Sequence, residues 1–147
     1  QFERWRIDLM SMKASKKIFH RQPQEFPRFD ERMTGQDYRF AYTVSLGGEN
    51  APGTRLMKHD LHKGETYEHD FGKGCFPGEF VFVPKNRESD EEDGWLIGYV
   101  LDIRNKVTLL TILDSKDFFS PPVAEVKIPH VVPPGFHGNW VPASVVS

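Results

Sequence analysis

Two long apolar runs near the middle of the chain are separated by only three residues, and that spacing constrains the fold more than any other feature. Residues 95–102 place Trp95, Ile97, Tyr99 and Leu101 on one face, while the other stays mostly apolar through Leu96, Gly98 and Val100. Apolar side chains on both faces predict a strand buried on both sides. Residues 106–114 behave alike, with Val107, Leu109 and Leu113 opposing Leu110 and Ile112. The intervening Ile103-Arg104-Asn105 is long enough only for a turn, so the two runs form a hairpin.

The rest of the chain repeats this texture. Residues 54–61 and 65–71 flank His62-Lys63-Gly64, where Gly64 supplies the positive φ of a tight hairpin. Strands are also expected over 2–9, over the Tyr- and Phe-rich stretch 37–46, and over 80–83, where Pro84 ends the run. In 123–128, Ala124, Val126 and Ile128 alternate with Val123, Glu125 and Lys127, which predicts an outer or edge strand with one packed face. The acidic run at 88–93 reads as a solvated loop.

Roughly eight strands in hairpins, with 11 Pro and 12 Gly and no defensible helix, give an all-β chain of sandwich, barrel or propeller type. Apolar strands ending in Asp, at Asp60, Asp102 and Asp114, hint at blade-like units and favour the propeller.

A formal net charge of -2 carries no footprint for nucleic acid. No apolar run of about 18 residues and no signal-peptide pattern is visible. The single cysteine, Cys75, rules out an internal disulfide framework and reads as a small packing residue. A cytoplasmic setting is the resulting expectation, with peripheral membrane contact left to regions outside the chain. The Gly47-Gly48 pair precedes no helix with a phosphate-loop pattern, so nucleotide binding is unsupported. The chain opens on Gln1 with a strand already under way, so residues 1–147 are expected to be part of a larger domain.

The chemistry-bearing segment lies at the end. His137 stands between Phe136 and Gly138, with Gly135 just before, where the backbone can bend sharply and approach other segments closely. The residue pattern alone favours an ordinary hydrogen-bonded loop histidine over a ligand.

Residues 135–140, Gly-Phe-His-Gly-Asn-Trp, preceded by Pro-Val-Ala-Glu-Val-Lys-Ile-Pro at 122–129, closely resemble the C-terminal signature of carotenoid cleavage oxygenases. Residues 25–30, Glu-Phe-Pro-Arg-Phe-Asp, are similar to the family's Glu-Phe-Pro-Arg-Ile-Asn segment. Gly-Glu-Phe-Val-Phe-Val-Pro at 78–84 and Glu-Asp-Gly-Trp at 92–95 resemble two further blocks in the same order.

The resemblance implies the C-terminal blades of a seven-bladed β-propeller whose axis holds a non-haem Fe(II) on four histidines. His137 would be the last of these ligands. Glu25 and Glu79 would be carboxylates behind the ligands, accepting the outer N–H of an imidazole, and the other three histidines would lie upstream. The implied reaction joins O₂ to a conjugated C=C bond of an apolar polyene or stilbene, giving carbonyl products. A propeller that only binds, or an iron-dependent retinoid isomerase of the same fold, are the alternatives. One histidine cannot retain catalytic iron by itself, so residues 1–147 alone are expected to be inactive.

The other histidines fit no such role. His59, His62 and His69 match no familiar metal spacing and read as solvated strand or turn residues, and His20 and His130 fall outside the ligand motif. Phe76, Phe136 and Trp140 could line an apolar tunnel, but core packing is the commoner role for aromatics.

Overall fold

The structure is a computed structural model that describes residues 1–47 and 55–143. Gly48 of the glycine pair and Thr54, at the start of the strand expected over 54–61, lie outside the described residues. Among those described there are ten strands: β1 (Phe2–Asp8), β2 (Lys13–His20), β3 (Gln24–Arg28), β4 (Phe40–Ser45), β5 (Leu56–Asp60), β6 (Glu65–His69), β7 (Cys75–Pro84), β8 (Gly94–Asp102), β9 (Val107–Asp114) and β10 (Ala124–Ile128). A 3₁₀ turn spans Glu31–Met33.

The strands form one two-stranded ribbon, β1-β2, and two four-stranded antiparallel sheets, β3-β4-β5-β6 and β7-β8-β9-β10, each laid down in sequence order. The expected hairpin of the two apolar runs is β8-β9, with Asp102 opposite Val107. Two strands escaped the sequence reading. β2 is rich in lysine and lacks alternation, and β3 carries Pro27, which has no N–H for a ladder.

The two larger sheets pack face to face. Phe40, Tyr42, Val44 and Leu56 from one meet Phe80, Phe82, Leu96, Val100 and Leu113 from the other. Each large apolar side chain withdrawn from water contributes about 1.5–3 kcal/mol. The Tyr42 ring stacks on Phe82 at 6.0 Å, and its hydroxyl meets Ser115 Oγ at 2.5 Å.

This packing corrects the expectation for residues 95–102. Leu96, Gly98, Val100 and Asp102 are buried; Trp95, Ile97 and Leu101 are half-buried and Tyr99 is exposed, because among the described residues a single face of β8 meets the other sheet. β10 is an edge strand as expected, but without a packed face, being exposed over most of its length.

The recurring Asp has a local cause. Asp8, Asp60 and Asp102 each precede a four-residue loop, and each Oδ1 accepts the N–H groups two and three residues on, at 2.9–3.1 Å. The last loop residue takes a positive φ in each case: Met12 (55), Gly64 (74) and Lys106 (54). Asx turns of this type satisfy backbone donors that the hairpin leaves unpaired. They join the third and fourth strands of one sheet but the second and third of the other, so the Asp marks a turn type and not a repeat.

The acidic run also differs from its sequence reading. Glu88 and Asp90 are exposed, whereas Glu91, Glu92 and Asp93 are half-buried. Glu91 Oε1 accepts the N–H groups of Arg39 and Phe40 at 2.7 Å each. Glu92 pairs with Lys58, whose buried ammonium also donates to the Ser115 carbonyl at 2.6 Å. This part of the loop ties the two sheets together, and an unpaired Lys58 would be costly there.

Candidate metal centre

Two β-bulges build the site. In β3, Glu25 faces Val44 and Arg28 faces Tyr42, so three steps on one strand match two on its partner. Phe26 takes a φ of 56 within this bulge, a strained conformation for a bulky residue. β7 has the same irregularity, with Pro77 facing Val100 and Phe80 facing Gly98. Bulges re-aim side chains. The first turns Phe26 and Arg28, and the second turns Glu79, toward the returning segment that carries His137.

Gly98 makes the second bulge possible. A Cβ there would lie 2.5 Å from the Phe80 ring and 2.7 Å from the Glu79 carbonyl, so only glycine lets β7 lie so close over β8.

The carboxylate of Glu79 is the hub, with its side chain only 7% exposed. Its Oε1 accepts from Arg28 Nε at 2.8 Å and from His137 Nδ1 at 3.0 Å. Its Oε2 accepts from Arg28 Nη2 at 3.1 Å and from the Gly138 N–H at 2.7 Å. Arg28 Nη2 donates in turn to the Gly138 carbonyl, and Nη1 to Glu31 Oε1 at 3.1 Å. Phe26 stands edge-on to the His137 ring, with centroids 5.8 Å apart. Burial would push the Glu79 carboxyl up, but the Arg28, Gly138 and His137 donors outweigh it and hold the group below its ordinary value.

An ionised carboxylate can only accept, so the hydrogen between Glu79 and His137 sits on Nδ1. Nε2 of the neutral ring then carries a free lone pair, the form in which an imidazole binds Fe(II). The chemistry of this donor fits an iron ligand, and among the described residues no group of three or more His, Cys, Asp or Glu side chains could hold a metal.

Of the residues singled out from sequence, the structure brings Glu79 and His137 together. Glu25 is exposed on β3 and makes no side-chain hydrogen bond or ion pair among the described residues. Sequence reasoning missed Arg28 and Phe26, although both stand in the quoted 25–30 block, because a bulge leaves no mark in periodicity. Phe76, Phe136 and Trp140 are exposed and so are not core residues, contrary to the commoner expectation for aromatics.

The remaining histidines part company. His62 is exposed in its turn, as expected. His59 and His69 are instead buried, at 1% and 8% exposure. His59 Nε2 meets Gln24 Oε1 at 2.8 Å and Thr43 Oγ1 at 2.9 Å, and Nδ1 meets Thr66 Oγ1 at 2.9 Å; His69 Nδ1 donates to the Phe118 carbonyl at 2.7 Å. The partners in all these bonds are uncharged. Cys75 is half-buried against the core, where burial pushes the thiol up, in keeping with a packing residue.

Two successive four-stranded antiparallel meanders packed face to face are the arrangement of neighbouring β-propeller blades, and the first strands of both reach the Glu79–His137 pair, β7 through Glu79 and β3 through Arg28 and Phe26. The family model for retinal pigment epithelial membrane protein matches residues 1–142. A carotenoid cleavage oxygenase of Mycobacterium tuberculosis is 35% identical over 97% of this chain and 29% of its own length. A carotenoid 9,10(9',10')-cleavage dioxygenase of Arabidopsis thaliana is 33% identical over 92% of this chain and 27% of its own. The cobalt-substituted apocarotenoid oxygenase of Synechocystis superposes with a TM-score of 0.85 at 29% identity, over 95% of this chain and 29% of that one. The chain belongs to the carotenoid cleavage oxygenase family, that of the retinal pigment epithelial membrane protein. It spans less than a third of the length of the relatives it matches.

Proposed function

We propose that the chain is the C-terminal part of a non-haem Fe(II) dioxygenase that cleaves a conjugated C=C bond of a carotenoid, apocarotenoid or stilbene to two carbonyl products. The observation that carries this reading is the Glu79–His137 hydrogen bond, 3.0 Å long, which leaves the Nε2 lone pair free. Bound iron would supply O₂ activation beside the alkene.

This chain's own residues would do the holding. His137 offers Nε2. Glu79 fixes the tautomer and the plane of the ring and raises its basicity. The Gly138 N–H, donating to Glu79 at 2.7 Å, stops the loop from rotating the imidazole away. Glu25 would accept the N–H of another imidazole, from a part of the protein beyond this chain, which would explain an exposed carboxylate without a partner here. The half-covered outer face of β8, with Tyr99 exposed, would be covered by a neighbouring blade.

The test is iron content and apocarotenoid cleavage in the full-length protein. His137→Ala should abolish both while circular dichroism stays unchanged. Iron retained at the wild-type level in this variant would refute the reading of His137.

A further inference from the structure

We propose that Arg28 is a positioning residue for the His137 imidazole, acting through Glu79 and Gly138; the inference rests on His137 being a metal ligand. The geometry is a closed ring. Arg28 Nε and Nη2 take one hydrogen-bonding site on each oxygen of Glu79, and His137 Nδ1–H and Gly138 N–H take the others, at 2.7–3.1 Å. The same guanidinium reaches past the carboxylate to the Gly138 carbonyl, so both polar groups of Gly138 are held. Its remaining edge is fixed by Glu31.

Each of these contacts has a mechanical consequence. Glu79 alone could swing about its last torsion and still find water or a backbone donor. With Arg28 across both oxygens, the carboxylate plane is set, and with it the direction from which Nδ1–H must approach. Rotating the His137 ring then breaks a bond to an acceptor that cannot follow. The guanidinium also balances the charge of Glu79, which limits how far the carboxylate draws the imidazole proton to itself.

The role requires arginine. A lysine ammonium at this position could contact one oxygen, but it has no planar fork to span Oε1, Oε2 and a carbonyl together. The bulge that delivers Arg28 also holds Phe26 at a φ of 56, a strained backbone of the kind that persists where the surrounding structure over-determines it. The strain sits two residues from Arg28 and brings Phe26 against the same imidazole. The β3 bulge therefore serves the His137 ring twice, by packing and by hydrogen bonding.

The experiment uses the full-length protein with Co(II) as the probe, measuring its affinity by chelator competition and its visible ligand-field spectrum in wild type, Arg28→Gln, Arg28→Lys and His137→Ala. Arg28→Gln should lower Co(II) affinity about 10–100-fold and shift the bands, as loss of a group supporting a ligand does. Arg28→Lys, which keeps the charge and guards against a folding failure of the glutamine variant, should give an intermediate affinity and a shifted spectrum. A lowered melting temperature with wild-type affinity and bands in both variants would mean a purely structural arginine and overturn the proposal, while His137→Ala still losing Co(II) would leave the ligand reading intact. Unchanged Co(II) binding in His137→Ala would overturn the ligand reading itself.

Discussion

Glu79 and His137 lie 58 residues apart in sequence, and the 3.0 Å hydrogen bond between them joins a bulged strand to a loop that returns after the last strand of the same sheet. Neither could be placed by its own element. The bulge makes Glu79 face the loop, and the loop is held there because Glu79 accepts from Gly138 as well as from the ring.

Glu79→Gln separates charge from shape. The amide oxygen can still accept two bonds, but the amide N–H₂ would face two donors, those of Arg28 and Gly138 in place of Oε2 or those of Arg28 and His137 in place of Oε1. Metal affinity of the full-length protein should fall about 10–100-fold. Loss of the partly buried ion pair should cost about 2–3 kcal/mol, below the range for a fully buried one because Arg28 retains some exposure. Denaturant melts and metal titration read the two effects. Wild-type values in both would show that the carboxylate charge is irrelevant at this site.

Gly98→Ala tests the second bulge. The added methyl meets the Phe80 ring and the Glu79 carbonyl at distances no real Cβ tolerates, so β7 must shift. Overpacking of this kind costs about 1–3 kcal/mol. Because the shifted atom belongs to Glu79, metal affinity should fall together with the melting temperature. A variant that loses stability but keeps full metal affinity would uncouple the bulge from the site.

The legible part of this fold is what periodicity and turn chemistry encode. The β8-β9 hairpin and the Gly64 turn stand where spacing put them, and His137 and Glu79 were named from the blocks around them. Hidden were features that depend on a partner strand. The β3 and β7 bulges are defined only by register, so Arg28 looked like any charged residue. His59 reads as polar on a polar hairpin, and only the arrangement of Gln24, Thr43 and Thr66 around it explains why it is buried.

His59 supplies a pH dependence. Burial, with a smaller contribution from nearby His20, depresses its pKa from the ordinary 6.5 to about 4. The folded protein therefore refuses a proton that the unfolded chain accepts. Stability from this group is intact above pH 6.5 and is lost as pH falls from 6.5 to about 4, by about 3 kcal/mol in all at 1.36 kcal/mol per unit. NMR titration of the His59 ring checks it directly. A midpoint near 6.5 would show that the Gln24-Thr43-Thr66 cage tolerates the imidazolium.

Asp60 acts in a lower window. Its carboxylate is 2% exposed, accepts from Arg39 Nη2 at 2.6 Å and caps the turn through His62 and Lys63. The Arg39 hydrogen bonds lead in depressing its pKa from 3.8 to about 2, against the opposing effect of burial. Here the folded state holds the proton less tightly, so the contribution is present above pH 3.8 and disappears as pH falls through 2. Arg39 is 36% exposed and water screens the pair, which leaves about 1–2 kcal/mol at neutral pH. Asp60→Asn keeps an oxygen to cap the turn and removes only the charge. It should be less stable than wild type by about 1–2 kcal/mol at pH 7, and the gap should close toward pH 2. An equal gap at both pH values would assign the loss to the turn instead of the ion pair, and urea melts of the two proteins across that range decide between them.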